Sequence, residues 1–272
     1  MPRLGLGTWR VGEQATRRSA EVKALRLALE IGYRAFDTAE MYAEGGAEEV
    51  LGEALAQGLS GGLTRGDLFI VSKVYPHNSG RKDVAAACER SLRRLRLEHI
   101  DLYLLHWRGT VPLHDTLAGF EKLRQRGLIG QWGVSNFDVA DMHELLALPG
   151  GEHCAANQVW YSLTRRGVEF DLLPWMQQRQ MPLMAYSPID QGALLRHAGL
   201  RELAQRLDAS AAQVALAWAL SRPGVMVIPK STDAGRLREN LGAAALSLGP
   251  RELARLDEVF PPPRRRQSLA VG

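Results

Sequence analysis

Cysteine is scarce in this chain: Cys88 and Cys154 are the only two in 272 residues, too few for a disulfide framework. Cys88 follows Ala85-Ala86-Ala87 in an apolar helical pattern and reads as a buried thiol. No apolar run approaches the ~18 residues that a membrane-spanning helix needs, and no basic segment followed by an apolar one opens the chain. A reducing cytoplasm without a membrane partner is the expected setting. Nor is there a large charge excess, since 34 Lys+Arg against 30 Asp+Glu leave a formal net charge of +4. The basic residues are scattered along stretches such as 90–96, often beside glutamate, as on a solvated helix face. That excludes an obvious nucleic-acid partner, although a modest positive potential suits an anionic cofactor. No Gly-x-Gly-x-x-Gly follows a strand and opens a helix, so a Rossmann site is not indicated. His106, His114 and His143 lack His-x-His or His-x-x-x-His spacing, and no metal site is expected. The middle of the chain has no Pro-rich or Ser/Gly-rich linker. The proline cluster 261–263, with arginines 264–266 behind it, reads as the end of the fold and a solvated tail. One domain over 1–260 and a tail over 261–272 are expected, in a chain that acts as a monomer.

What is present is an alternation. Short apolar or β-branched runs at 4–8, 33–37, 68–73, 100–106, 131–135, 155–159, 182–186 and 225–228 predict strands. Amphipathic stretches at 19–31, 47–57, 81–97, 113–126, 138–147, 170–180, 209–221 and 233–241 predict helices, and a last helix at 250–260 precedes the tail. Val22, Leu25 and Leu29, for example, are spaced for one helical face. Eight strands alternating with eight helices favour an α/β fold with a parallel sheet. A closed (β/α)8 barrel is favoured over an open doubly wound sheet for two reasons. The count is eight, and polar residues recur where many different strands stop. In a barrel those ends converge on one mouth.

Asp37 ends the second strand, and Tyr42 follows in the loop. Lys73 ends the third strand; His106 and Trp107 end the fourth; Ser135 and Asn136 end the fifth. Gln158, Tyr186 with Ser187, and Lys230 with Ser231 mark the last three. Lys73 follows Phe69-Ile70-Val71-Ser72, so its ammonium needs a carboxylate, and Asp37 is the natural one. Alone, that pair would be an ordinary structural ion pair. Tyr42 changes the weighing, because a nearby ammonium lowers a phenol's pKa and makes it a usable proton donor. His106 alone would read as a structural histidine; beside the other three it can orient a carbonyl oxygen or share in proton transfer.

Over essentially its whole length the chain resembles the aldo-keto reductase superfamily, most closely its bacterial reductases of methylglyoxal-like and other small aldehydes. The matching stretches are Gly5-Leu-Gly-Thr-Trp9, Phe36-Asp-Thr-Ala-Glu-Met-Tyr42, Val71-Ser-Lys-Val74, Ile100-Asp-Leu-Tyr-Leu-Leu-His-Trp107, Trp132-Gly-Val-Ser-Asn-Phe137, Asn157-Gln158, Ala185-Tyr-Ser-Pro188 and Ile228-Pro-Lys-Ser231. The resemblance implies that Tyr42 is the general acid and that Lys73 lowers its pKa. Asp37 would be paired to Lys73, and His106 would orient the substrate.

It also implies NADPH/NADP+, bound extended across the barrel mouth. Tyr186 would stack on the nicotinamide while Ser135, Asn136 and Gln158 bond its carboxamide, with Thr8 and Trp9 nearby. The loop over 187–194, with Ser187, Pro188, Ile189, Gln191 and Gly192, would cover the pyrophosphate. Lys230, Ser231 and Thr232 lead into a helix, and helix N-termini attract phosphate. Lys230, Ser231 and Arg236 would hold the adenosine 2′-phosphate, and Glu239 and Asn240 the adenine. Two residues depart from the family pattern. Asp233 brings a negative charge near the phosphate, although as an N-cap it is ordinary. Asp190 replaces a commonly small residue and is expected to point to solvent. Trp9, Tyr75 and Trp107 match positions that wall the pocket for a small carbonyl substrate. The segment after Phe260 is short, which suggests an open pocket. Family members usually open with a β-hairpin across the barrel floor; here the first strand begins about three residues in, so at most a stub is expected, or the true start lies upstream. Two other functions are weighed: a non-catalytic binding module, as in channel-regulating β subunits of this fold, and a metal-dependent barrel hydrolase. The complete tetrad argues against the first and the histidine spacing against the second.

Overall fold

The computed structural model describes residues 2–271. Eight strands form one sheet in chain order, every neighbouring pair parallel: β1 (Leu6–Gly7), β2 (Ala35–Asp37), β3 (Phe69–Val74), β4 (Ile100–Leu105), β5 (Ile129–Ser135), β6 (Asn157–Trp160), β7 (Leu183–Tyr186) and β8 (Val225–Val227). Parallel bridges Leu4–Val227 and Gly7–Lys230 join the β1 segment to the β8 segment. The amides of Gly5 and Gly7 donate to the carbonyls of Val227 and Pro229 there. A first strand bonded to the last is consistent with the expected (β/α)8 barrel. The doubly wound alternative needs a strand order that reverses at a switch point, which this sheet lacks.

Ten α-helices lie among the described residues: α1 (Arg18–Ile31), α2 (Gly46–Ser60), α3 (Asp83–Leu95), α4 (Leu113–Gln125), α5 (Val139–Leu146), α6 (Leu172–Gln178), α7 (Ala198–Arg206), α8 (Ala211–Leu220), α9 (Ala234–Gly242) and α10 (Pro250–Val259). In α1 the spaced Val22, Leu25 and Leu29 are buried, and the helix stops at Gly32, whose φ of 114° is left-handed and favours glycine. Asp138 with Asp141 and Ser210 with Gln213 form capping boxes that start α5 and α8. The sequence pattern did not predict α7. It buries Leu200, Leu203 and Ala204 on one face, but it is only nine residues long and starts without a side-chain cap.

Strand periodicity builds the barrel interior and then the site above it. Ala35, Val71, Leu102, Leu104, Ala156 and Met184 belong to one buried apolar cluster. Side chains two apart on a strand share a face. The next inward positions are therefore Asp37 after Ala35, Lys73 after Val71, His106 after Leu104, Gln158 after Ala156 and Tyr186 after Met184. An apolar interior thus carries a polar top layer drawn from five segments of the sheet.

The tail is mostly exposed, as its composition suggested, but it is tethered. The Arg266 guanidinium lies 3.3 Å from Asp138 Oδ2 and 3.1 Å from Asp171 Oδ2. Leu269 packs against the main core. Both aspartates precede helices, and a single guanidinium between them ties the tail down. Among the described residues no helix is long and apolar enough to cross a membrane.

Candidate active site

The fully buried Lys73 ammonium is the centre of the cluster. Its Nζ donates to Asp37 Oδ2 at 2.7 Å, to the Thr38 carbonyl at 2.8 Å and to Tyr42 Oη at 3.2 Å. Three acceptors satisfy its three donors, which is the condition for burying an ammonium. The His106 ring lies edge-on to Tyr42 with centroids 5.8 Å apart. Asp37, Tyr42, Lys73 and His106 thus meet at the C-terminal ends of β2, β3 and β4.

Burial pushes the Tyr42 phenol up from its ordinary value, and Lys73 pulls it back only in part through its charge and hydrogen bond, while Asp37 adds to the rise. The net direction is therefore upward, opposite to the lowering that the lysine alone implies. Burial is what the sequence did not display. The consequence is that Tyr42 holds its proton throughout the neutral range. Burial also works against the Lys73 ammonium, but Asp37 and Tyr42 outweigh it and keep this lysine above its usual value. His106 moves the other way: burial, helped by Lys73, pushes it well below the ordinary histidine range, so the imidazole is neutral. Its Nδ1 is buried without a hydrogen-bond partner among the described residues.

A second network adjoins the first. Asn136 Nδ2 donates to the His106 carbonyl at 3.2 Å and to Ser135 Oγ at 3.1 Å, and Tyr186 Oη donates to Asn136 Oδ1 at 3.0 Å. Ser135 Oγ donates to the Gln158 carbonyl at 2.9 Å. Gln158 Nε2 donates to Asp37 Oδ1 at 2.7 Å, and Thr8 Oγ1 to the Asp37 carbonyl at 3.0 Å. Several residues at this end of the barrel adopt left-handed backbone: Ala43 and Glu44 beside Tyr42 at φ 51°, Asn136 at 60°, Ser187 at 47°, Asp190 at 51° and Gln191 at 54°. Such conformations cost on the order of 1 kcal/mol or more each and concentrate at functional sites.

Beyond β7, Ser187, Pro188, Ile189, Gln191 and Gly192 form a loop. Asp190 does not point freely to solvent as expected. It accepts from Trp160 Nε1 at 3.0 Å and from the Thr164 hydroxyl, so it pins this loop to the end of β6 and the segment that follows. Trp160 was not anticipated; its ring lies 6.1 Å from that of Tyr186, and its only signal was an aromatic residue two positions after Gln158.

After β8, Lys230 and Thr232 are half-buried and Ser231 is buried, while along α9 Arg236 is exposed, Glu239 half-buried and Asn240 buried. Asp233 is the expected N-cap, accepting from the Arg236 amide at 2.9 Å. Among the described residues neither the Lys230 ammonium nor the Arg236 guanidinium makes an ion pair. Burial, with Arg17 and Arg10 near, lowers Lys230 from its ordinary value against the pull of Glu21 and Glu13.

Of the wall residues, Tyr75 meets Trp107 edge-on at 5.9 Å, and Trp107 is 36% exposed. Trp9 is half-buried beneath the Arg10 guanidinium, 4.5 Å from its ring. Glu40, which sequence reasoning passed over, anchors the Tyr75 wall. It is buried, accepts from the Tyr75 amide at 2.8 Å and Asn78 Nδ2 at 3.1 Å, and pairs with Arg90 at 3.4 Å. Its signal was a carboxylate between Asp37 and Tyr42. A separate cavity of about 610 Å³, lined in part by Leu102, Gln131, Cys154, Arg179 and Met181, includes none of these site residues.

Polar side chains gathered at one mouth, above an apolar interior and among strained loops, are the arrangement of an α/β-barrel enzyme. The profile of the aldo/keto reductase family matches residues 3–260. The chain is 50% identical over 274 residues to methylglyoxal reductase YeaE of Escherichia coli (strain K12), covering 99% of this chain and 94% of that protein. It is 37% identical to glyoxal reductase of Bacillus subtilis (strain 168), with 94% and 88% covered. The crystal structure of an aldo/keto reductase from Klebsiella pneumoniae in complex with NADP and acetate superposes with a TM-score of 0.95 at 45% identity, over 100% of this chain and 96% of that one. The protein belongs to the aldo/keto reductase family and is an oxidoreductase.

Proposed function

We propose that this protein reduces small aldehydes and ketones to alcohols with NADPH, and that Tyr42 is the general acid. The observation that carries this reading is the Lys73 ammonium shared between Asp37 Oδ2 and Tyr42 Oη. The similarity to methylglyoxal and glyoxal reductases supports substrates of that kind. Tyr75 and Trp107, with Trp9, offer aromatic walls that suit a small carbonyl compound.

The residues present fit NADPH. Two cations, Lys230 and Arg236, stand near the start of α9 without ion-pair partners among the described residues, as a phosphate subsite requires. Solved relatives with NADP and with NADPH support the same cofactor. Lys230, Ser231, Thr232 and Arg236 would hold the 2′-phosphate, and Glu239 and Asn240 the adenine. Ser135, Asn136 and Gln158 would hold the carboxamide, Tyr186 the ring, and the loop from Ser187 through Gly192 the pyrophosphate, with Thr8 and Trp9 alongside. When bound, NADPH supplies the hydride. Tyr42 gives its hydroxyl proton to the carbonyl oxygen, and Lys73 stabilises the phenolate that remains. Asp37 keeps Lys73 charged and aimed. Neutral His106 orients the carbonyl oxygen by hydrogen bonding. The chain works as a monomer in the cytoplasm, one barrel domain over 1–260 followed by a tail over 261–272.

The test is the ratio of kcat/KM for NADPH and NADH across a panel of small carbonyl compounds, in wild type and in Arg236→Ala. A charge-assisted bond to phosphate contributes roughly 1.5–3 kcal/mol. Two such bonds, reduced by the exposure of Arg236 and by Asp233, leave a preference on the order of a hundredfold for NADPH, about 2.7 kcal/mol. The preference should collapse in the variant through weaker NADPH binding. Equal use of both cofactors by wild type would remove Lys230 and Arg236 from cofactor selection.

A further inference from the structure

We infer that Gln158 is a positioning residue for the proton donor, acting through Asp37. This rests on the reading of Tyr42 as general acid. Gln158 lies on β6, 121 positions beyond Asp37, yet its Nε2 donates to Asp37 Oδ1 at 2.7 Å, and both side chains are buried. A carboxylate only accepts, so the atom facing it must be the amide nitrogen. Lys73 takes the other oxygen, Oδ2, at 2.7 Å. Each oxygen of one carboxylate thus has its own donor. The Gln158 backbone is itself fixed, its carbonyl accepting from Ser135 Oγ at 2.9 Å and from the Asn136 amide at 2.8 Å. On the far side the Met184 sulfur lies 4.0 Å from Nε2.

The two donors set the plane of the Asp37 carboxylate. With Gln158 on Oδ1, Oδ2 alone meets the ammonium, which then reaches Tyr42 Oη at 3.2 Å. Without Gln158 the carboxylate turns both oxygens toward Lys73 and draws the ammonium away from the phenol. The groups that face Tyr42 are Asp37 from β2, Lys73 from β3 and His106 after β4. Of these, Lys73 is the one that stabilises the phenolate left by proton transfer. The same amide is the one proposed to meet the nicotinamide carboxamide. A contact on the cofactor side and the aim of the proton donor are therefore coupled through one side chain.

The experiment is a double-mutant cycle of Gln158→Met and Asp37→Asn, reading kcat of carbonyl reduction and its pH profile at saturating cofactor. Methionine matches the length of the lost side chain, and thermal melts establish that each variant is folded. Gln158→Met should lower kcat about tenfold, one hydrogen bond to a charged group, and move the alkaline limb to higher pH. In the Asp37→Asn background the same substitution should change kcat by less than about threefold, because residues in one network are not additive. An equal loss in both backgrounds, or an unchanged kcat with only the cofactor KM raised, overturns the inference. Gln158→Glu is the second variant. Its carboxyl donates to Asp37 only when protonated, so kcat should fall with rising pH along a limb that wild type lacks; absence of that limb also counts against the inference. Tyr42→Phe separates the two levels. If it is inactive while the cycle is additive, only the Gln158 role is lost. If it is active, the general acid itself is wrong.

Discussion

Tyr42→Phe should lower the rate of carbonyl reduction by ~10²–10⁴ and leave NADPH binding nearly intact. The substitution removes one oxygen. That oxygen is 3.2 Å from Lys73 Nζ and is the acidic hydrogen's carrier in the proposed step. The Tyr42 ring packs against the main core, and phenylalanine keeps that packing without the hydroxyl. The lost bond comes from an ammonium that still has Asp37 and the Thr38 carbonyl. The fold should therefore survive, and the loss should fall on kcat. Single-turnover reduction rates beside a cofactor titration read both parts. A variant with near wild-type turnover would place the proton donor elsewhere.

Lys73→Met should cost both activity and stability. It removes the charge that eases proton departure from Tyr42, and it strands a buried carboxylate that, among the described residues, keeps its bond from Gln158 alone. Breaking one side of a buried pair costs about 3–5 kcal/mol. In a chain of this size that is a fall in melting temperature on the order of 10 °C. Adding Asp37→Asn should recover much of the stability, since a neutral amide is cheaper to bury, and none of the activity. Thermal melts and turnover on the single and double variants test this. A single variant that melts like wild type would mean that Asp37 is compensated by some other group.

The sequence made the strand ends legible because short apolar runs stop at polar residues, and period-two alternation alone stacks Lys73 above Val71 and Gln158 above Ala156. Closure was legible from the count of strands and is carried by the contacts of Leu4 and Gly7 with the β8 segment. What stayed hidden depends on contacts between distant residues. Asp190 read as a solvent-facing charge because its partners, Trp160 and Thr164, lie 30 and 26 positions away. The tether of the solvated tail stayed hidden for the same reason, since Arg266 meets aspartates that cap other helices. The direction of the Tyr42 shift was missed because a neighbouring lysine is visible in a motif and burial is not. Helix α7 was missed because a short apolar face without a cap resembles loop sequence. The bond from Gln158 to Asp37 has no sequence signature at all.

The central claim is that the Lys73 charge eases proton loss from a phenol that burial makes reluctant. Its most direct measurement is an NMR titration of the labelled Tyr42 ring carbon bearing the hydroxyl, in wild type and in Lys73→Met, with Tyr42→Phe used to assign the signal among six tyrosines. Tyr42 should titrate above the ordinary value of 10.0 in wild type and higher still in Lys73→Met, because burial remains and its counterweight is gone. A Tyr42 that titrates at the same pH or lower once Lys73 is removed would contradict the account.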